Sequence, residues 1–217
     1  MYKRQPLPFS RREVESIAEL YPNTSSVFLA GEATEERAKE QSRAGSYVHF
    51  ACHGLLDEHL PINSALVLTV PASPRDGQDD GLLQAWEILE KMRLDADLVT
   101  LSACETALGK ELGGEGLIGL TRAFQYAGAH SVLASLWAVD DESTAELMRH
   151  FYRHLRAGKA KAEALRAAQL ELLRRAPRAG AREGSTDRGV GARVTDTPSE
   201  RSHPFRWAAF QLIGDWR

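Results

Sequence analysis

The stretch YVHFACHG, Tyr47 to Gly54, begins as an apolar run and ends on a histidine followed by a glycine. A second stretch, DLVTLSACET, Asp97 to Thr106, is built the same way and delivers a cysteine. Runs of this length, apolar on both alternating faces, read as strands buried between helical layers, the mark of a largely parallel sheet. In such a sheet ligands and catalytic groups gather beyond the carboxyl ends of the strands, where loops converge. His53 and Cys104 each stand just past such an end. If the two strands are neighbours, both side chains lie on one edge.

Working outward, strand-length runs at Ser26–Ala30, Tyr47–Cys52, Ala65–Val70, Asp97–Ala103, Ser131–Trp137 and Ala208–Ile213 alternate with helix-period segments. The helical segments are Arg11–Leu20, Thr34–Ser42, Leu83–Met92, Leu117–Ala127, Glu142–Arg156 and Lys161–Arg174. This alternation predicts an α/β fold with a mostly parallel central sheet flanked by helices. Gly128 and Gly158 follow two of the helices, where a left-handed residue closes the last turn. From Ala176 to His203 the chain is rich in Arg, Gly, Ser and Pro and nearly free of large apolar residues, so burial there does not offset ordering entropy. It reads as a flexible insertion in a single domain spanning residues 1–217, a length that buries a substantial core.

The formal charge of -3 gives no reason to expect nucleic acid or an anionic membrane as partner. The most apolar long window, AGAHSVLASLWAV, is too short and too polar to cross a bilayer. Two cysteines make no disulfide framework, and MYKRQPLPFSRRE lacks the apolar core of a secretion signal, so a reducing, cytoplasmic setting is expected.

A thiol beside an imidazole is a nucleophilic arrangement: thiolate attacks a carbonyl and the imidazolium protonates the leaving group. The imidazolium also lowers the thiol pKa. Gly54 lets its N–H approach a substrate closely, and with the Cys104 N–H forms an oxyanion cradle. The plainer reading of the same residues is a small buried thiol and a satisfied core histidine. Cys52 points opposite to His53 if the strand continues, as a core thiol, and His49 inside the strand reads as structural. A zinc site from His49, Cys52, His53 and His59 would need residues on opposite faces to converge. No metal or cofactor is required.

The blocks HFACHG, LVTLSACETALG, GGEGLIGLTRAFQYAGAHSVLASLWAVDD and HPFRWAAFQLIGD, with REVESIAELYPNTSSVFLAGEATEE near the start, resemble the CHAT-domain family in the same order over almost the whole chain. The resemblance implies a caspase-like three-layer sandwich and a cysteine peptidase of protein or peptide substrates. The family's catalytic histidine falls on His53 and its cysteine on Cys104, on loops after adjacent strands. Separase-like relatives carry an acid after the tryptophan-containing strand and prefer a basic residue before the scissile bond. That implies Asp140 or Asp141 as a partner for substrate Arg or Lys, beside the simpler role of aspartate at a helix start. Many members are joined to tetratricopeptide repeats or other regulatory modules, expected here in a longer or a separate chain. The rival reading is a non-catalytic interaction module that keeps only the fold.

Gly114, Gly116 and Gly119 spell G-x-G-x-x-G, but a dinucleotide fingerprint must follow its strand directly, and about ten residues of loop separate this one from Ala103. A mobile glycine-rich loop beside Cys104 is the better account. If specificity is basic, the arginines of the insertion make it a candidate for self-cleavage.

Overall fold

The computed structural model describes residues 7–71, 80–102, 104–107, 114–137, 139, 141–174 and 203–217. In chain order the elements are α1 (Ser10–Ala18), α2 (Glu35–Gln41), β1 (Tyr47–Phe50), β2 (His53–Leu56), β3 (Ala65–Val67), β4 (Leu82–Gln84) and α3 (Ala85–Lys91). There follow β5 (Leu98–Leu101), β6 (Cys104–Ala107), α4 (Glu115–Tyr126), β7 (Ser131–Ser135), α5 (Asp141–Arg156), α6 (Lys161–Arg174), a short α7 (Pro204–Trp207) and β8 (Phe210–Gly214). The expected insertion falls outside the described residues, apart from His203.

The main sheet has the order β1-β5-β7-β8, parallel except for antiparallel β8. Alternation along its strands feeds two separate cores. Phe50, Val99, Leu101, Val132 and Ala134 pack with Ile88, Met92, Leu120 and Phe124 of the α3 and α4 layer. Leu98 and Leu133 pack on the opposite face with Ile17, Leu147, Met148, Phe151 and Leu165 of the α1, α5 and α6 layer. The result is a three-layer α/β sandwich with a mostly parallel sheet, as expected from the alternation of apolar runs.

Three differences from the sequence reading have local causes. Residues Ser26–Ala30 join no ladder among the described residues: Ala30 takes a positive φ of 48° and opens a 3-10 turn, while its carbonyl accepts the Thr69 hydroxyl at 2.8 Å. The segment expected to be helical from Leu83 begins as β4, and the helix starts only at Ala85. Most consequentially, the strands entering at Tyr47 and Leu98 each stop and then resume as β2 and β6, which belong to a second sheet of order β4-β3-β2-β6.

Candidate active site

The break and restart decide where His53 and Cys104 stand. β1 pairs in parallel with β5, Tyr47 opposite Leu98 and Phe50 opposite Leu101. Ser102 N–H then donates to the Phe50 carbonyl at 2.9 Å across the break. Beyond it, β2 pairs in parallel with β6, and His53 is paired with Cys104. Neither chain gains a residue on the other, so the register of β1 against β5 is carried unchanged to the two residues. They occupy the first positions of two short strands rather than loops, because both segments return to extended backbone at once.

Adjacent strands lie about 4.8 Å apart in the hydrogen-bonding direction, and paired positions share a face of the ladder. His53 is half-buried and Gly54 buried, with Gly54 paired to Leu66 of β3 and Glu105 of β6. Ser102, two residues before Cys104, is 6% exposed, and its buried hydroxyl has no hydrogen-bond partner among the described residues. A hydroxyl carries no motif of its own in a strand-like run, which is why sequence reading passed it by.

The other sulfur is of a different kind. Cys52 packs against the α3 and α4 core as the residue just before His53. Its thiol is enclosed although the residue as a whole is half-buried, and desolvation pushes its pKa up to about 12 despite a hydrogen bond from the Val67 backbone. Such a thiol is inert near neutrality. His49 is engaged on both nitrogens, Nε2 to Glu13 Oε1 at 2.7 Å and Nδ1 to the Tyr152 hydroxyl at 3.2 Å. It is a structural histidine, and His59 is exposed just past the end of β2.

Of the two candidate pocket acids, Asp140 lies outside the described residues. Asp141 opens α5, and its Oδ2 accepts the backbone N–H of Phe9 at 2.5 Å, tying the start of α1 to the start of α5. Upstream of them Trp137 donates from Nε1 to the Phe205 carbonyl at 2.8 Å and stacks on the Phe205 ring at 6.1 Å.

The glycine motif is a packing device. Gly114 holds the left-handed start of α4 with φ 80°. A Cβ on Gly116 would meet Leu56 Cβ and Ser64 Oγ at 3.0 Å, and one on Gly119 would meet Pro61 Cβ and O at 2.8 Å. Both glycines let α4 lie directly against the chain that follows β2. Glu58 Oε2 takes the Glu115 N–H at 2.9 Å at the same helix start, where a phosphate would otherwise sit. The loop 108–113 falls outside the described residues.

Among the described residues no helix is long and apolar enough to cross a membrane. The family profile of the CHAT domain matches residues 2–215. The chain is 29% identical over 243 residues to Tetratricopeptide repeat protein 28 of Mus musculus, and 29% identical over 245 residues to that of Homo sapiens. In each case 96% of this chain is covered, but only 9% and 8% of the relative, so the chain spans under a tenth of the length of these relatives. The chain belongs to the CHAT-domain family, a caspase-like family.

Proposed function

We propose that this domain is a cysteine endopeptidase with Cys104 as nucleophile and His53 as general acid/base. The observation that carries the reading is the in-register pairing of His53 with Cys104. A thiolate at Cys104 attacks the scissile carbonyl carbon, and the oxyanion forms against the Gly54 and Cys104 backbone N–H groups. As the C–N bond breaks, the His53 imidazolium gives its proton to the leaving amine. Water then adds to the thioester, His53 takes its proton, and the acid and free thiol are released.

In this reading Asp140, or its neighbour Asp141, receives a basic side chain of the protein or peptide substrate. Asp140 is the better candidate, because Asp141 already holds the Phe9 N–H. The domain is a single unit over residues 1–217, works in the cytoplasm and is governed by a repeat or other regulatory module. The repeat-protein names of its relatives support that association.

The test is the pH dependence of alkylation at Cys104 and Cys52, resolved by peptide mass spectrometry in wild type and His53→Ala. The expected result is a Cys104 rate well above that of Cys52 at pH 7, lost in His53→Ala. Equal, slow rates at both sulfurs would replace the peptidase with a non-catalytic interaction module.

A further inference from the structure

Four residues upstream of the dyad on each segment, on the otherwise apolar face covered by α1 and α5, four polar side chains form one connected chain. Glu13 of α1, Thr100 of β5 and Tyr152 of α5 are 2%, 0% and 1% exposed. Glu13 Oε1 lies 2.7 Å from His49 Nε2, His49 Nδ1 lies 3.2 Å from the Tyr152 hydroxyl, and that hydroxyl lies 2.9 Å from Thr100 Oγ1. A carboxylate only accepts, so His49 Nε2 carries the hydrogen of the first bond. With the imidazole neutral, Nδ1 accepts from the Tyr152 O–H, and the Tyr152 oxygen accepts from the Thr100 O–H. Each donor is used once, and the chain runs in one direction from Thr100 to Glu13.

Its placement is more telling than its composition. His49 and Thr100 are themselves paired across β1 and β5. Four residues further along the same two segments stand His53 and Cys104, again paired, at unchanged register. The rest of this ladder is apolar: Tyr47, Val48 and Phe50 face Leu98, Val99 and Leu101. Apolar strands slide at little chemical penalty, but a slip of one residue sends every side chain to the other face. A buried hydroxyl bridging one residue of each strand forbids the slip, because it leaves buried polar groups unpaired. Burying four polar groups does little for net stability, since well-packed apolar groups would serve as well. What they contribute is a unique alignment.

We propose that Glu13, His49, Tyr152 and Thr100 are positioning residues for the dyad: their hydrogen-bonded chain locks β1 to β5 in one register and thereby holds His53 opposite Cys104. The catalytic half of this proposal rests on the peptidase reading above, whereas the lock itself does not.

The experiment compares residues 1–217 as wild type, Tyr152→Phe, Thr100→Val and Thr100→Ser by two measurements. Backbone amide exchange is followed over residues 53–56 and 104–107, and Cys104 alkylation at pH 7 is followed with Cys52 as an internal reporter of unfolding. Tyr152→Phe removes only the bridging oxygen and keeps the ring in its edge-on contacts with Tyr21, Tyr47 and His49. Amide exchange at both segments is expected to quicken, and Cys104 alkylation to fall, each by about tenfold, the size of one lost buried hydrogen bond. Exchange in α6 and the slow Cys52 rate should not move. Thr100→Val should behave like Tyr152→Phe, and Thr100→Ser like wild type. If Tyr152→Phe does not fold, the two Thr100 variants decide alone.

Wild-type exchange at 53–56 and 104–107 in Tyr152→Phe and Thr100→Val overturns the lock, whatever the chemistry of Cys104. Quickened exchange with an unchanged Cys104 rate overturns the positioning role. A wild-type Cys104 whose reactivity does not depend on His53 overturns the peptidase reading instead, and the exchange data then judge the lock by themselves.

Discussion

His53 is paired with Cys104 across the parallel ladder of β2 and β6, at the same register that pairs His49 with Thr100 in β1 and β5. Two residues about a quarter of the chain apart are thereby neighbours by backbone geometry alone. The chemistry that follows is testable through the groups around them.

Cys52 makes alkaline pH a specific stress. Its folded thiol pKa of about 12 stands above the ordinary 9.0, so the unfolded chain gives up this proton first. The stability it contributes is whole below the unfolded pKa and is lost as pH rises toward the folded one. Between about pH 8.5 and 10.5 the melting temperature of wild type should therefore fall more steeply than that of Cys52→Ala. Parallel slopes in a thermal melt series would show that this thiol is not enclosed.

The two aspartates after β7 should separate into different roles. Asp141→Ala loses the acceptor for Phe9 N–H and an acid in the first turn of α5, an expected cost of about 1–2 kcal/mol in urea denaturation. Under the peptidase reading its cleaved-peptide profile should stay basic. Under the same reading, Asp140→Ala should lose the basic preference. An unchanged preference in both variants would remove these acids from the substrate pocket.

Glycine substitutions should rank by what each new Cβ meets. Gly158→Ala has open space but a φ of 83° and should cost about 1–2 kcal/mol. Gly119→Ala drives a methyl onto Pro61 Cβ and O at 2.8 Å, an overpacking expected to cost about 1–3 kcal/mol. Gly128→Ala combines φ 116° with a Cβ 2.1 Å from the Leu94 carbonyl oxygen and should be the worst of the three. Titration with ATP or NAD should raise the melting temperature of neither wild type nor Gly119→Ala. A nucleotide-dependent rise would restore the phosphate-binding reading of G-x-G-x-x-G.

Glu171 on α6 staples α5 through Arg153 at 2.6 Å, His154 at 2.7 Å and His150 at 2.7 Å. Desolvation alone would raise its pKa, but the hydrogen bonds of Arg153 and His154 and the charge of His150 hold the carboxyl below the usual range. The depressed group contributes stability above the unfolded carboxyl pKa, lost as pH falls through the folded value. Glu171→Gln should therefore melt below wild type at pH 7, and the gap should close as pH falls below the ordinary carboxylate range. Because the group is partly exposed, the gap should be modest and shrink in high salt. A gap that persists at acid pH would assign the loss to packing.

The layered α/β architecture was legible in the chain because buried parallel strands and amphipathic helices have different apolar periods, and both appear undiluted in Tyr47–Phe50, Leu98–Leu101, Ser131–Ser135 and α4 to α6. The short strands β2, β4 and β6 were not legible, since three or four residues carry too little periodicity to distinguish a strand from a loop. Ser26–Ala30 was misread for the converse reason: its apolar residues suit a strand, but ladder pairing needs a partner edge, which local sequence does not specify.

The site divides in the same way. The residue types at His53 and Cys104, and their place at the ends of two apolar runs, were set by the sequence itself. That they are paired, that Cys52 is an enclosed thiol although it adjoins His53, and that His49 is bound by Glu13 and Tyr152 were decided by tertiary structure. Register and burial depend on contacts between segments far apart in the chain, and no local pattern encodes which of two neighbouring sulfurs, or which of two nearby histidines, the fold will enclose.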